Sequence, residues 1–493
     1  MSQININNLT FTYEGSYDPV FENVSLRLDS SWRLGLAGRN GRGKTTFLKL
    51  LQNELPHHGA VTAAVDFEYF PYEIEDKESL TIDVASGVYA ACEHWQLVRE
   101  CSLLQVSEDV LYRPFDTLSS GEQTKVLLAV MFLKENNFLL IDEPTNHLDA
   151  QARSLLSRYL QSKKSYILIS HDRAFLDGCI DHILSINKAD IQLQKGNFSS
   201  WYENKIMQDQ FEISQNEKLK RELSRLTESS LRTSRWSNKV EKTKYNTKNS
   251  GLRPDRGYVG HKAAKMMKTS KVIEARAQTA IEEKSKLLKN VESLHSLKIS
   301  QLVYHKRQLA ALDKVFVYYG AHCACKDISF TIEQGDRIAL TGGNGSGKSS
   351  ILKLICGEDL TYMGSFSKGS RLLISYVPQD ATALSGSLTE HAARKAIDES
   401  LFKAILQKLD FTKTQFEKDM ASLSEGQKKK VLIASSLCEK AHLHIWDEPL
   451  NFIDIFSRMQ IEQLLLSFEP TILFVEHDSF FTRSVATKTI HLP

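Results

Sequence analysis

The feature that most constrains this chain is an internal duplication. The segment WRLGLAGRNGRGKTTFLKLL recurs in the second half as DRIALTGGNGSGKSSILKLI. Motifs recur at separations of 304 to 306 residues, in four pairs: Lys44 and Lys348, Gly121 and Gly426, Asp142 and Asp447, and His171 and His477. Because chance matches would not keep one offset, the sequence predicts two homologous domains, at 1–202 and 301–493. A different segment, 203–300, separates them.

Length and composition agree with several globular domains. The 493 residues correspond to about two to four domains of roughly 100–200 residues. Hydrophobic residues make up 42% and charged residues 25%, as in an ordinary soluble protein. No stretch approaches the ~18 apolar residues of a membrane helix, and the N-terminus lacks a signal-peptide pattern. We therefore expect a cytoplasmic protein whose seven cysteines, without zinc-ligand spacing, are reduced thiols.

The segment between the repeats predicts a long antiparallel helical hairpin. The stretch NSGLRPDRGYVGH in its middle holds three glycines and one proline, which indicates a loop. We expect a helix over 203–247, a tip at 248–262 and a second helix over 263–298. The apolar positions of the first helix lie on one face: Leu219, Leu223 and Leu226. Those of the second helix follow a heptad spacing: Ile273, Ala277, Ala280, Leu287, Val291 and Leu294.

This segment is also strongly basic. Residues 218–289 contain 13 Lys and 7 Arg against seven acidic residues, a net charge of +13 in a chain of net charge +2. Solvated coiled-coil helices usually balance their charges, so a plain solvated surface is the weaker interpretation. A local excess of this size is typical of a surface that binds a nucleic-acid phosphate backbone.

Each repeat carries a G-x-x-x-x-G-K-[ST] motif between a strand-like run and a helical pattern. In such a motif glycines let backbone N–H groups close around phosphates, and the following helix adds the positive end of its dipole. The motifs predict an α/β fold with a nucleotide in each repeat. The expected phosphate-site residues are Gly38, Asn40, Gly41, Gly43, Lys44, Thr45 and Thr46 in the first repeat, and Gly342, Asn344, Gly345, Gly347, Lys348, Ser349 and Ser350 in the second.

Acidic pairs follow an apolar strand in FLLIDEP and LHIWDEP. Asp142 and Asp447 would place a carboxylate beside Mg²⁺, which would also take a hydroxyl from Thr45 or Ser349. The next residue, Glu143 or Glu448, would orient or deprotonate the attacking water. The alternative is a strand end with solvated acids, which the phosphate loops upstream disfavour.

A histidine follows each acidic pair at nearly the same distance. His171 and His477 lie 29 and 30 residues beyond the aspartates and come directly after short apolar runs. A single histidine in such a place would more often be structural. Its recurrence at this spacing favours a sensor of the nucleotide γ-phosphate.

A second anion site in each repeat indicates that the two repeats work as a pair. LSSGE and LSEGQ put Ser119 and Gly121, or Ser424 and Gly426, at the start of a helical run. The phosphate loop of the same repeat already satisfies its own nucleotide, so this site would serve the nucleotide of the other repeat.

Three further predictions concern this pairing. Two nucleotides would lie head to tail between the repeats, with Asp149 and Asp454 placed to cross the interface. Tyr13 and Tyr319 precede the phosphate loops by similar distances and would stack on adenine. A plain strand aromatic is nearly as good an interpretation of the two tyrosines.

These four motifs, present twice and in order across about 400 residues, resemble the ATP-binding cassette superfamily. Twin cassettes on one chain with a helical hairpin between them resemble the ABC-F group of ribosome-binding translation factors. That resemblance implies ATP hydrolysis, binding near the exit-tRNA site, contacts to large-subunit rRNA and tRNA, and a hairpin that points toward the peptidyl-transferase centre. It also implies that Gln379 contacts nucleotide and metal, and that one chain pairs its own cassettes as a monomer.

Within that group, the run GHKAAKMMKTSK at 260–271 and the large interdomain segment resemble antibiotic-resistance members. The nearest of these protect against lincosamides, streptogramin A and pleuromutilins, by a hairpin tip, roughly 252–268, that dislodges the drug. Two alternatives remain open: a housekeeping ABC-F translation factor, or the ATPase subunit of a membrane transporter, which would leave the basic hairpin without a role.

The two repeats differ at positions that the family keeps. Tyr72 stands where the second repeat has Gln379, Phe452 stands where the first has His147, and Glu122 ends the first signature where the second has a glutamine. We therefore expect unequal sites. Both keep the lysine, aspartate, glutamate and histidine, so neither should be inactive.

Overall fold

The structure, a computed structural model, describes most of the two predicted domains. The described residues are 3–15, 19–146, 148–187, 190–208, scattered positions between 210 and 272, 302–320, 322–343, 345–382 and 384–492. The chain divides into two compact units, Met1–Trp201 with Leu297–Pro493, and Tyr202–Ser296. Both repeats therefore lie in one unit, and the basic segment forms the other.

The strands of the first repeat form two sheets. In chain order they are β1 Gln3–Phe11, β2 Phe21–Asp29, β3 Arg33–Ala37, β4 His58–Thr62, β5 Asp66–Phe70, β6 Asn137–Asp142, β7 Tyr166–Ile169, β8 His182–Asn187 and β9 Asp190–Lys195. A three-stranded antiparallel sheet has the order β2-β1-β4, and a six-stranded sheet has the order β5-β6-β7-β3-β8-β9. The larger sheet is parallel except for its last pair. Its central strands are apolar almost throughout, as expected for strands covered on both faces.

The second repeat is built on the same plan. Its strands are β10 Gln308–Tyr319, β11 His322–Glu333, β12 Arg337–Thr341, β13 Thr361–Lys368, β14 Ile374–Val377, β15 Leu443–Asp447, β16 Ile472–Val475 and β17 Lys488–His491. An antiparallel sheet has the order β11-β10-β13, and a parallel sheet has the order β14-β15-β16-β12-β17. The prediction of two α/β cassettes is confirmed.

Helices connect the strands in both repeats. The first repeat has α1 Lys44–Leu51, α2 Thr81–Val88, α3 His94–Leu103, α4 Ser120–Met131, α5 Ala150–Ser162 and α6 Arg173–Cys179, with 3-10 turns at Glu108–Tyr112 and Phe115–Thr117. The second has α7 Lys348–Cys356, α8 Leu388–Arg394, α9 Glu399–Lys408, α10 Lys413–Phe416, α11 Glu425–Cys438, α12 Ile455–Phe468 and α13 Ser479–Val485, with a 3-10 turn at Met420–Ser422. In the described part of the chain, no helix combines the length and hydrophobicity needed to cross a membrane.

The sheet order brings the predicted motifs together. β3 lies between β7 and β8, and β12 lies between β16 and β17. The phosphate loop, the acidic pair and the histidine each follow the carboxyl end of a parallel strand in their own sheet. In open α/β sheets ligands bind at this edge, so the topology places the chemistry of each repeat in one region.

Most of the predicted hairpin lies outside the described residues. This is true of nearly all of the expected tip at 248–262, of 273–298, and of every apolar position on which the helical spacing was judged. The described residues that remain in this unit, from Tyr202 onward, are helical. One boundary needs correction, because His261, placed in the loop, is already helical.

Direct contacts join the two repeats. Arg39 forms an ion pair of 2.5 Å with Asp410. Arg173 Nη2 donates to Glu462 Oε2 at 2.6 Å, and its guanidinium lies 5.3 Å from the ring centre of Phe480. These pairs link the first phosphate loop to the turn after α9, and the start of α6 to α12 and α13 of the second repeat.

The packing of the core of the second repeat can be tested by replacing a buried tryptophan. Trp446 on β15 is fully buried, and its Nε1 donates to Ser436 Oγ at 2.9 Å. Trp446→Ala should lower the free energy of unfolding by about 3–5 kcal/mol, since it removes a large packed ring and leaves a cavity. Denaturant unfolding would measure the change. The matched control is Trp95→Ala, a ring 59% exposed, for which we expect a change within about 0.5 kcal/mol. Equal losses in the two variants would contradict the observed core.

Candidate active site: two composite nucleotide sites

Each phosphate loop ends in a glycine that begins a helix in the left-handed region. Gly43 has a φ of 86° and caps α1, and Gly347 has a φ of 83° and caps α7. A Cβ at Gly347 would lie 2.5 Å from the carbonyl oxygen of Ala324. Only glycine fits both the conformation and the space, so the loop curls back over the helix N-terminus as the motif predicts.

The loop lysines lie inside this curl. Lys44 Nζ donates to the carbonyl oxygen of Gly38 at 2.8 Å and to Asn40 Oδ1 at 3.2 Å. Lys348 Nζ donates to the carbonyl oxygens of Gly342 and Gly343 at 3.0 and 2.7 Å. Burial lowers the pKa of both lysines. Each ammonium is thus held where the loop backbone converges on a phosphate group.

A hydroxyl and a carboxylate meet beside each loop. Thr45 Oγ1 donates to Asp142 Oδ2 at 2.9 Å, and Tyr69 donates to the same oxygen at 3.0 Å. In the second repeat Ser349 donates to Asp447, whose other oxygen, Oδ1, is buried without a hydrogen-bond partner among the described residues. Burial raises the pKa of both aspartates. Hydroxyl and carboxylate oxygens of this kind are the ligands that Mg²⁺ prefers.

The glutamate and the histidine pair in both repeats. His171 Nε2 lies 3.3 Å from Glu143 Oε1, and His477 Nε2 lies 3.5 Å from Glu448 Oε1. Both glutamates have positive φ, 50° and 46°, a conformation that side chains other than glycine rarely adopt. Such strain recurring at matched positions is typical of a functional site.

The surroundings of the two glutamates differ. Glu448 Oε2 accepts from Gln379 Nε2 at 2.9 Å and from Asn451 Nδ2 at 2.7 Å. Burial raises the pKa of Glu448, but hydrogen bonds from His477, Asn451 and Gln379 outweigh it and lower the pKa to about 2.

Glu143 has the opposite shift. Burial and the neighbouring charge of Asp142 raise the pKa of Glu143 to about 7. Tyr72, 39% exposed, occupies the position of Gln379 and has no amide to donate. Burial and the charge of Lys44 hold the pKa of His171 well below its usual value, so its imidazole is neutral. The sequence departure at Tyr72 therefore coincides with a difference in electrostatics.

The second nucleotide site is built from both repeats. A cavity of about 510 Å³ lies at its phosphate loop, and the first repeat contributes Ser120, Leu148 and Arg153 to the lining. Nine predicted site residues line it: Tyr319, Gly345, Gly347, Lys348, Ser349, Ser350, Gln379, Glu448 and His477. Asn344 lies outside the described residues.

The first phosphate loop is likewise in contact with the opposite repeat. Asn40 Nδ2 donates to the carbonyl oxygen of Phe452 at 3.0 Å. A Cβ at Gly426 would lie 2.3 Å from that oxygen and 3.3 Å from Asn40 Nδ2. The carbonyl oxygen of Phe452 therefore leaves no room for a side chain at Gly426, the signature glycine of the second repeat, and Asn40 of the first phosphate loop lies beside it.

The signature serines cap their helices. Ser119 accepts from the backbone of Glu122 and begins α4, and Ser424 does the same with Gln427 for α11. Ser119 Oγ also donates to Glu122 Oε2 at 2.7 Å, and the neighbouring Ser120 lines the cavity. The glutamate that replaces glutamine in the first signature thus engages the hydroxyl that was expected to meet the nucleotide.

The remaining predicted residues fall near the two loops. Gly121 packs against Leu148: a Cβ at position 121 would lie 3.1 Å from the Leu148 side chain. Tyr13, half exposed, forms a hydrogen bond of 2.7 Å between its hydroxyl and Thr46 Oγ1. Gly41 adopts a positive φ of 77° in open space.

The two aspartates expected at the interface are helix caps. Asp149 accepts from the backbone of Ala152 and Asp454 from that of Ser457. Asp454 is buried and pairs with Lys430, 3.2 Å apart; burial raises its pKa, but this ammonium and the hydrogen bonds from Ser457 outweigh burial and lower the pKa well below its usual value. The charges of Asp149 and Asp454 act on Lys348 and Lys44, the loop lysines of the opposite repeats.

Sequence reasoning missed several residues at the sites. His322, Arg153 and Asn451 line the second cavity, and only Asn451 lies within a motif that was singled out. The recurrence of an arginine at 153 and 458, at the offset of the duplication, is the signal that could have revealed one of them.

Fold and sites together define a P-loop nucleotide hydrolase with two catalytic cassettes on one chain. The family model described as ABC transporter matches residues 21–146 and 325–451, just over half of the chain. The chain belongs to this ATP-binding cassette family and is an ATPase whose cassettes bind ATP.

Known proteins resemble the chain over nearly its whole length. It is 28% identical to the ribosome protection protein VmlR of Bacillus subtilis, with 95% of this chain and 83% of VmlR covered. It is 27% identical to the ATP-binding protein Uup of Caulobacter vibrioides, with 96% and 75% covered. The archaeal ribosome recycling factor aABCE1, solved with the stalk protein aP1, superposes with a TM-score of 0.64 at 19% identity, with 98% and 87% covered. The prediction of a duplicated cassette protein is confirmed, and the relatives support the resemblance to the ABC-F group.

The unequal glutamates predict different pH profiles. In Glu448→Gln the first site supplies the remaining hydrolysis, and in Glu143→Gln the second site supplies it. Only an ionised glutamate can accept a proton from water, so the raised pKa of Glu143, about 7, should make kcat/KM of Glu448→Gln fall roughly tenfold from about pH 8 to about pH 6. The Glu143→Gln variant should stay nearly constant over that range, because the pKa of Glu448 is about 2.

A third variant controls this comparison. Tyr72→Gln, added to Glu448→Gln, supplies the amide that the first site lacks and should move the fall to lower pH. ATPase assays across the pH range measure all three profiles. Identical profiles for the two single-site variants would show that the electrostatic difference does not reach catalysis.

Proposed function

We propose that the chain is a cytoplasmic, ribosome-binding ABC-F ATPase that confers antibiotic resistance by ribosomal protection. The observation that carries the proposal is the pairing of two cassettes within one chain, with a strongly basic segment inserted between them. A cassette pair that completes its own sites needs no second subunit, so a monomer suffices. The insert then supplies a positive surface for rRNA, which proteins contact largely through shape and phosphate.

The proposed cycle starts with ATP between the cassettes. The loops hold the phosphates through Lys44 and Lys348, and Mg²⁺ would be held by Thr45 with Asp142, and by Ser349 with Asp447 and Gln379. Bound Mg²⁺ neutralises charge on the phosphate oxygens. Glu143 and Glu448 orient or deprotonate the attacking water, and His171 and His477, which pair with these glutamates, sense the γ-phosphate.

Closure of the cassettes would fit the protein to the ribosome near the exit-tRNA site. The segment 203–300 would then lie against large-subunit rRNA and tRNA, with its tip toward the peptidyl-transferase centre. The tip would displace a bound lincosamide, streptogramin A or pleuromutilin, and hydrolysis would release the protein. In this proposal, 1–202 and 301–493 are the two ATP-binding cassettes and 203–300 is the segment that contacts the ribosome.

The named relatives support two versions of this function. VmlR is called a ribosome protection protein, which favours the resistance role, whereas the similarity to Uup keeps the housekeeping alternative. A transporter subunit is less favoured, because the basic segment would have no partner.

Drug susceptibility separates resistance from a housekeeping role. A susceptible strain that expresses the chain should tolerate higher concentrations of at least one of these three drug classes. The matched control is the Lys44→Ala, Lys348→Ala variant, which lacks both phosphate-site ammonium groups and should give no protection. Ribosome co-sedimentation without any change in susceptibility would favour the housekeeping factor, and recovery with membranes would favour the transporter subunit.

A hydrolysis-deficient variant tests the cycle itself. Glu143→Gln with Glu448→Gln should keep ATP binding but lower turnover by roughly 10²–10⁴-fold, the usual contribution of a general base. The closed form should accumulate, so a larger fraction should co-sediment with ribosomes in ATP than for the wild type. Equal fractions for this variant and the wild type would contradict the proposed release by hydrolysis.

A further inference from the structure

Two arginines occupy matched positions in the duplication and have no role in the motifs above. Arg153 lies in the first turn of α5 and Arg458 in the first turn of α12. Each follows the capping aspartate, Asp149 or Asp454, by four residues, and the two arginines are 305 residues apart. They are therefore equivalent residues of the two cassettes.

Each guanidinium is fixed by the same pair of contacts. Arg153 Nε donates to the carbonyl oxygen of Leu148 at 3.0 Å, and its Nη1 lies 3.1 Å from Asp172 Oδ2. Arg458 Nε donates to the carbonyl oxygen of Ile453 at 2.9 Å, and its Nη1 lies 3.3 Å from Asp478 Oδ2. In both cassettes these contacts use Nε and Nη1.

These two contacts fix the plane of each guanidinium, whose N–H donors point outward in a rigid planar arrangement. Within the described residues, the remaining nitrogen, Nη2, is left available to donate to a ligand. Both arginines are largely buried, so the charge is held in place and poorly screened by water.

Both arginines face the nucleotide site of the opposite cassette. Arg153, in the first cassette, lines the cavity formed by Gly347, Lys348 and Ser349 of the second. Arg458 holds the carbonyl oxygen of Ile453, and the carbonyl oxygen of the preceding residue, Phe452, accepts from Asn40 of the first phosphate loop. The same crossing of the interface thus occurs twice in one chain.

We propose that Arg153 and Arg458 donate through Nη2 to phosphate oxygens of the ATP held by the opposite cassette. A guanidinium is suited to this task, because it presents several donors in one plane and stays charged at any relevant pH. A solvated surface arginine would have no need of a buried aspartate and a carbonyl oxygen to fix its plane.

The contact with the aspartate links the two sites. Asp172 directly follows His171 and caps α6, and Asp478 directly follows His477 and caps α13. ATP that contacts Arg153 in the second site therefore also acts on Asp172, the ion-pair partner of Arg153, which lies next to His171 of the first site. Arg153 and Arg458 are phosphate-binding residues for one site and positioning residues for the other.

Affinities of single-site variants test the direction of the contact. Lys44→Ala leaves the second phosphate loop intact, and Lys348→Ala leaves the first. In the Lys44→Ala protein, Arg153→Gln should raise the Kd for ATP, measured by calorimetry without Mg²⁺, at least about tenfold, or about 1.4 kcal/mol. In the Lys348→Ala protein the same change should leave the Kd nearly constant. Arg458→Gln should give the reverse pattern.

The crossed pattern distinguishes phosphate binding from a structural role within one cassette. Asp172→Asn is the matched control, since it breaks the ion pair but keeps the arginine charge, and it should raise the Kd at the second site less than Arg153→Gln does. Arg153→Lys, which keeps the charge, should recover part of the affinity, and thermal unfolding reports whether each variant is folded. A rise in Kd confined to the phosphate loop of the cassette that carries the substitution, or no change in Kd at either site, would overturn the proposal.

Discussion

The structure depends on the closing of each phosphate site by the other cassette. A phosphate loop supplies a lysine and the N-terminal dipole of one helix, but a nucleoside triphosphate offers more anionic oxygens than one loop can reach. The opposite cassette completes the surroundings of each loop: Ser120, Leu148 and Arg153 line the cavity beside the second loop, and Gly426 lies close to Asn40 beside the first. Because each cassette lacks half of its own site, the duplication and the pairing of the repeats are one requirement.

The duplication preserved the backbone of the two sites more strictly than their electrostatics. Both glutamates keep the same left-handed φ and the same histidine partner. Their carboxylates nevertheless have opposite pKa shifts, because Gln379 and Asn451 stabilise the ionised form of Glu448 whereas burial beside Asp142 disfavours that of Glu143. The first repeat has Tyr72 where the second has the amide of Gln379, so the two equivalent glutamates differ in their hydrogen-bond partners while the fold is the same.

Family and function rest on different features of the chain. The two cassettes establish the ATPase, and they would serve a transporter as well as a ribosome factor. The segment between them carries a net charge of +13 over residues 218–289, and this charge is the feature on which the proposed ribosomal partner rests. The proposed arginine contacts connect the two nucleotide sites, since they let the occupancy of one site influence the histidine, His171 or His477, of the other.

The sequence by itself determined the two α/β cassettes and indicated the phosphate loop, the acidic pair and the histidine of each, because phosphate binding requires glycines, a lysine and a helix start at fixed short spacing. It also indicated that the sites are unequal, through Tyr72. The tertiary structure decided what depends on residues far apart in the chain. It placed Ser120 in the cavity of the second site, set Asn40 of the first phosphate loop against the carbonyl oxygen of Phe452, and brought Arg153 to the nucleotide site of the opposite cassette. Local spacing cannot encode these placements, because they arise only when two folded surfaces pack and each side chain takes the nearest partner of opposite polarity.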